Sequence, residues 1–165
     1  MQQSPSTTPT LCDPQEIDRA LAVLFESDYV AELRMPVHPK KTIAGFFNDR
    51  QKLAQAAERW SGTVPAVYVT LNPVNPALLA RYCNRVVPWA KDLTTDDDIL
   101  ERNWLLMDAD PVRPSGISST DEEHEAALAF VKMIRDALRA EGWPDPIVAD
   151  SGNGGHLLYP IREPA

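Results

Sequence analysis

The sequence predicts an α+β fold, in which a small mixed or antiparallel sheet occupies the second half of the chain and an α/β unit precedes it. Amphipathic helical patterns and short β-rich runs follow one another along the 165 residues. Clusters of Pro, Asn and Gly separate these runs and mark turns. The last part of the chain is predicted as strand, helix, strand, strand. We therefore expect a short disordered tail at residues 1–12 and two units, at residues 13–100 and 101–165.

The N-terminal unit opens with a predicted helix. Asp13 suits the N-cap, Pro14 suits the first helical position, and Glu16 would complete a capping box. The stretches "YVAELRMP" and "TIAGFF" then predict two strands that flank the turn "HPKK". The other elements expected in this unit are a helix over 48–60 capped by Asn48, a strand over 66–71, and a shorter helix that carries Arg81 and Arg85.

The second unit follows a polar linker and begins with "NWLLMDAD", which predicts a buried strand. A long helix comes next, because Thr120 and Glu123 form a capping box and Gly142 ends the pattern. Its apolar stripe is Ala127, Phe130, Val131, Ile134 and Leu138. The runs "PIVAD" and "HLLYPI" predict two short strands. The turn between them holds three of the seven glycines of the chain, so its backbone is expected to approach another group closely.

Charge is distributed unevenly along the chain, although the net charge is −8. Residues 34–91 hold nine basic and two acidic residues, a sum of +7. Residues 92–165 hold six basic and sixteen acidic residues, a sum of −10. A basic middle followed by an acidic end suits a surface that contacts phosphate beside a site that concentrates cations. The alternative is that ordinary solvated charges have segregated.

Cysteine content and hydropathy limit the class of protein. Cys12 and Cys83 are too few for a disulfide framework and lack the spacing of a zinc site. No apolar run approaches the roughly 20 residues that span a membrane. The opening residues have neither the basic start nor the apolar stretch of a secretory signal. We therefore expect no membrane partner and a reducing, cytoplasmic location.

Asp108 and Asp110 are the first candidate site residues. They are two apart at the end of an apolar run, so on a strand their side chains point to the same face. Two carboxylates at that spacing repel each other unless a cation lies between them, and Mg²⁺ or Mn²⁺ prefers such oxygen ligands. Alternatively, one aspartate caps a turn and the other is solvated.

His156 and the glycine turn before it form the second candidate site. Backbone N–H groups in such a turn can form an anion-binding nest, and a histidine beside it can donate to a phosphate or a nucleotide sugar. A turn histidine with a backbone partner is the alternative. Five basic residues are further candidates, as a group, for contacts to a triphosphate or a template; alone, each is more typical of surface charge. They are Lys40, Lys41, Arg81, Arg85 and Arg113.

In combination, these motifs resemble those of the archaeo-eukaryotic primase superfamily, in particular the primase–polymerase domains of phage and plasmid replication proteins. Asp108 and Asp110 match the acidic pair that ends a hydrophobic strand in that family. Gly154, Gly155 and His156 match its second motif, in which small residues precede a histidine. The resemblance covers residues from about 103 to 161. The "VYVTLNP" stretch is similar to the module that precedes the catalytic core in these proteins.

The resemblance implies a DNA primase–polymerase that uses two Mg²⁺ or Mn²⁺ ions for nucleotidyl transfer in the replication of a mobile element. Asp108 and Asp110 would be catalytic metal ligands, and the catalytic His156, with Gly154 and Gly155, would bind the phosphates or sugar of the incoming nucleotide. The implied partners are a DNA template, nucleoside triphosphates and a C-terminal helicase domain absent from this chain. The implied fold is an RNA-recognition-like sheet, of which this chain holds the first strand, first helix, and second and third strands.

One departure from the family pattern leads to other readings of the function. The family carries a third acidic residue on a later strand, and Asp150 does not match its position. We therefore expect the chain to be the front part of a longer protein or a decayed relative, and inactive alone. A non-catalytic nucleic-acid-binding module is the main alternative. A sugar-nucleotide transferase is the third, but that class requires a parallel sheet.

Overall fold

Two units make up the computed structural model, which describes residues 13–25, 29–38, 41–114 and 116–165. The chain divides between Glu101 and Arg102, and Ala165 groups with the first unit. Within the described ranges the structure contains three α-helices and two three-stranded sheets, which confirms the predicted α+β class. The predicted tail at residues 1–12 and the candidate Lys40 lie outside the described residues.

The first unit contains a three-stranded antiparallel sheet with the strand order β2-β1-β3. In β1, Leu33 and Met35 face a core that they share with α1 and α2. Val30 and Phe46 pack on the other side of the sheet with Val74. Its elements are α1 (Pro14–Leu24), β1 (Ala31–His38), β2 (Lys41–Phe47), α2 (Arg50–Trp60), β3 (Tyr68–Val69) and two short 3₁₀ helices (Pro76–Ala80 and Asp96–Asp98).

A half-buried ion pair on β1, with a fully buried carboxylate, is bonded to the loop that covers the strand. The Glu32 side chain is inaccessible to solvent, and its Oε2 lies 2.6 Å from an Arg34 guanidinium nitrogen. The backbone N–H of Thr94 also donates to Glu32, and Arg34 donates to the Thr94 carbonyl. Because these hydrogen bonds satisfy the buried carboxylate, the pair holds the loop at Thr94 against the sheet.

Three details of the predicted first unit are wrong. The N-cap of α2 is Asp49, whose side chain accepts from the Lys52 N–H, whereas Asn48 bonds to Asn84. The strand predicted over 66–71 is only two residues long. The short helix ends at Ala80, so Arg81 caps it and Arg85 lies beyond it. The chain leaves the helix because residues 82–90 pair with β2 instead, which satisfies their backbone groups.

The second unit contains a sheet with the strand order β4-β6-β5 and one helix, α3. β6 lies between β4 and β5, so β4, α3 and β5 form a split β-α-β unit. Val131 of α3 packs in the core with Leu157 and Tyr159 of β6. The bounds of these elements are β4 (Glu101–Ala109), α3 (Asp121–Ala140), β5 (Ile147–Asp150) and β6 (Gly155–Pro164).

The long helix confirms its capping prediction, but its apolar stripe is less buried than expected. Thr120 accepts from the Glu123 N–H while Glu123 accepts from the Thr120 N–H, which completes the predicted box. Ala127 and Val131 are buried, but Phe130 is 54% exposed. Across the described residues, no helix combines the length and the apolar character needed to cross a membrane.

Candidate functional site

β4 places Asp108 on the sheet face opposite α3. Leu105, Met107 and Ala109 alternate along the strand and pack against the core with α3. Asp108 therefore points to the other face. The prediction of a buried strand is wrong, since Asn103 is the only buried residue of β4. The Asp108 side chain is 53% exposed, so its carboxylate is not deeply buried.

His156 lies beside Asp108 on the neighbouring strand. It precedes Leu157, which faces the core with α3, so His156 points to the opposite sheet face. Its Nε2 lies 3.2 Å from Asp108 Oδ1. The structure thus brings together two residues that are 48 positions apart in the sequence and that the two candidate motifs supplied separately.

Asp110 lies just past the end of β4 and pairs with Arg113. The Arg113 guanidinium is 3.1 Å from Asp110 Oδ2, and it also donates to the Ile117 carbonyl. Of the predicted basic residues that the structure describes, only Arg113 lies beside the candidate carboxylates. Its two contacts fold the loop after β4 back onto Asp110.

The two candidate glycines make close packing possible. A Cβ atom on Gly154 would overlap the Ala109 carbonyl oxygen and lie 2.5 Å from Asp110 Oδ1. A Cβ atom on Gly155 would lie 2.8 Å from a methyl group of Val131. The sequence predicted that the backbone of the glycine turn lies close to another group, and the groups it approaches are the end of β4 and α3.

The backbone N–H groups of the glycine turn already have acceptors. Gly152 donates to Asp150 Oδ1, and both Asn153 and Gly154 donate to Ser151 Oγ. The Gly152 N–H is the main reason that the pKa of Asp150 lies below its usual range. A phosphate bound in the predicted nest would have to replace these side-chain acceptors.

Two contacts that the sequence analysis did not identify hold the turn against the start of α3. His124 Nε2 lies 2.8 Å from Asp150 Oδ1 and lowers the pKa of that carboxyl further. Asn153 Oδ1 accepts from the Ser119 N–H at 3.0 Å. These partners are 26 and 34 residues apart, so no local pattern marks them.

A cleft of about 350 Å³ lies between the end of β4 and α3. Residues 108–110 at the end of β4 line one side of it, and Glu123 and the exposed Phe130 of α3 line the other. The cleft therefore combines carboxylates with an aromatic surface beside the candidate residues.

The donor set fits a hard divalent cation only in part. Within the part of the chain that the structure describes, no three His, Cys, Asp or Glu side chains are grouped closely enough to hold a metal ion. Asp108 and Asp110 would supply two carboxylates, and substrate phosphates and water would complete the coordination, as is common for Mg²⁺. A cation bound there would replace the contacts that His156 and Arg113 make with the two carboxylates.

Three other predicted basic residues belong to the first unit. Lys41 opens β2, and its ammonium group lies 4.5 Å from the centroid of the Trp89 ring. Arg81 donates to the Asp92 carbonyl. Arg85 lies on the segment that pairs with β2. They are thus parts of a different unit from Asp108 and His156.

Comparisons with protein-family models, with curated proteins and with solved structures found no match to this chain.

Proposed function

We propose that this chain carries the front part of a DNA primase–polymerase core, which transfers nucleotides from nucleoside triphosphates onto a primer or an initiating nucleotide on a DNA template. The observation that carries the proposal is the 3.2 Å contact between His156 and Asp108 on one sheet face. Both motifs of the primase resemblance meet there. Asp110 and Gly154 adjoin the same strand end.

The topology of the second unit also supports the proposal. The sequence order β4, α3, β5, β6 is the one that the resemblance implies for the first part of an RNA-recognition-like sheet. The central position of β6 brings its first residues beside the end of β4. A sheet of this kind holds site residues on strands, which are more rigid than loops.

In the proposed reaction, the 3′-hydroxyl of the primer loses its proton to solvent and its oxygen bonds to the α-phosphorus, while the bond from that phosphorus to the leaving pyrophosphate breaks. Bound Mg²⁺ or Mn²⁺ would activate the 3′-hydroxyl and neutralise charge on the triphosphate. Asp108 and Asp110 would hold these ions. Arg113, released from Asp110, and His156 would each donate to phosphate oxygens.

A non-catalytic nucleic-acid-binding module remains the second candidate, and one observation favours it. Both aspartates already have cationic or imidazole partners, and the described residues supply no third grouped ligand. In such a module the Asp108 and Asp110 contacts would only stabilise the fold.

Calorimetric titration of dATP, together with Mn²⁺, into the protein separates the two candidates. Wild type, Asp108→Ala and His156→Ala are compared with Asp145→Ala, which removes an exposed carboxylate paired with Arg139 elsewhere in the same unit. The proposal predicts metal-dependent binding that weakens in the first two variants and persists in the third. Equal binding by all four proteins, or no binding by folded wild type, would contradict it.

A further inference from the structure

A groove of about 290 Å³ lies in the first unit between α2 and the segment that pairs with β2. Lys52 and Arg59 line it from the α2 side, and Arg85 lines it from the segment. Trp60 and Phe47 contribute apolar walls. We call this the Arg85 groove.

The backbone of the segment is fixed along β2. The Val87 N–H donates to the Ala44 carbonyl at 2.9 Å, and the Ala90 N–H donates to Thr42 at 2.9 Å. Gly45 permits this approach, because a Cβ atom there would overlap the Arg85 carbonyl oxygen. Backbone hydrogen bonds to β2 therefore hold this side of the groove in place.

The start of α2 is tied to the same segment through Asn84. This residue has a φ of 51°, and its side-chain oxygen accepts from the backbone N–H groups of Asn48 and Asp49, each at 3.1 Å. Since α2 carries Lys52 and Arg59, these bonds set the distance between the two sides of the groove.

The Arg85 groove is positively charged. Lys52 and Arg59 are seven positions apart on α2 and so share a face of the helix. Lys52 has a carboxylate neighbour in Asp49, at 3.3 Å. Arg59 and Arg85 form no ion pair with any of the described residues, and no acidic residue lines the groove. Such a groove attracts an anionic ligand.

Trp89 follows Arg85 along β2: the Arg85 carbonyl lies against Gly45, whereas Ala90 bonds to Thr42, three residues and about 10 Å further along that strand. The φ of Trp89 is 57°, a conformation that is strained for a bulky residue, and its side chain is 54% exposed. Lys41 stacks over the ring. The strained backbone thus presents an indole to solvent beside a cation, on the same segment as Arg85.

We propose that the Arg85 groove binds backbone phosphates of single-stranded DNA, and that a base of the same strand stacks on Trp89. Cations along a groove with an exposed aromatic ring are the features that bind a single strand, whereas the bases of a duplex are not available for stacking. The inference deepens the proposed function by naming the surface that holds the template, and rests on it for the choice of DNA.

Fluorescence anisotropy with labelled oligothymidylate tests the proposal in EDTA, without nucleotide. The Arg59→Gln/Arg85→Gln variant is compared with Arg19→Gln/Arg50→Gln, which removes the same charge from arginines that pair with Glu16 and Asp18. The first variant should bind on the order of tenfold more weakly. The slope of its log binding constant against log salt concentration should also be smaller by about 1.4, since each of the two lost phosphate contacts contributes roughly 0.7. The control should change by less than about twofold.

A second variant tests the stacking contact. Trp89→Ala should weaken binding of oligothymidylate by at least about fivefold and leave weak duplex binding unchanged. Equal losses in the groove variant and its control, no binding by wild type, or no effect of Trp89→Ala would each overturn the proposal. Because no metal or nucleotide is present, an intact Mn²⁺–dATP site cannot mask these results. Loss of dATP binding with DNA binding retained would instead count against the nucleotidyl-transfer site alone.

Discussion

Substitution of Gly154 by alanine should destabilise the second unit by pushing the glycine turn away from the end of β4. The new Cβ would overlap the Ala109 carbonyl oxygen and lie 2.5 Å from Asp110 Oδ1. Ordinary contacts of a Cβ atom begin at 3.4 Å, so the carboxylate must move by about 1 Å and the backbone must also shift. Overpacking of this kind costs about 1–3 kcal/mol of unfolding free energy.

Urea unfolding measures this loss, and a double-mutant cycle with Asp110→Ala separates its two parts. Removal of the carboxylate relieves the contact with Oδ1 but leaves the overlap with the Ala109 carbonyl. The loss caused by Gly154→Ala should therefore be smaller, but not zero, in the Asp110→Ala background. If Gly154→Ala has the same unfolding free energy as wild type, the account of how the turn packs against β4 is refuted.

Three further substitutions test other parts of the fold. Tyr159→Phe should raise the unfolding free energy by about 1 kcal/mol in urea unfolding, since the Tyr159 hydroxyl is buried without a hydrogen-bond partner among the described residues; a loss would contradict this. The pKa of Asp150 is lowered from 3.8, chiefly by the Gly152 N–H, so the ionised carboxylate stabilises the fold. This contribution is complete at pH values above 3.8 and is lost as the pH falls through the lowered pKa. Asp150→Asn should therefore have a lower unfolding free energy than wild type at pH 7. If the two free energies still differ at a pH below the lowered pKa, the assignment is refuted. Arg34→Met should cost about 3 kcal/mol, because it leaves the buried Glu32 carboxylate without its cation; a loss under 1 kcal/mol by the same method would show that the pair contributes little.

Local patterns in the sequence were sufficient to predict the long helix and the strands around the candidate site. The Thr120–Glu123 capping box and the β-rich runs "NWLLMDAD" and "HLLYPI" each involve near neighbours, so the sequence alone displays them. The pairing of Asp108 with His156 could be anticipated only from the assumption that their strands share one sheet.

Other features depend on contacts between distant residues. The N-cap of α2 is Asp49 because Asn48 is engaged by Asn84, 36 residues later. The residues after Ala80 leave the helix to pair with β2, which helix propensity does not reveal. The exposure of Phe130 follows from where α3 meets its sheet, although the residue continues the apolar stripe.

The central claim is that Asp108 and Asp110 hold a divalent cation together with a nucleotide, and Mn²⁺ electron paramagnetic resonance tests it most directly. The spectrum of Mn²⁺–dATP should change when wild-type protein is added, because carboxylates replace bound water. Asp108→Asn and Asp110→Asn should each abolish most of that change, and Asp145→Asn should retain it. If wild type leaves the spectrum unchanged, or if all three variants change it as wild type does, then the two aspartates do not bind the metal ion.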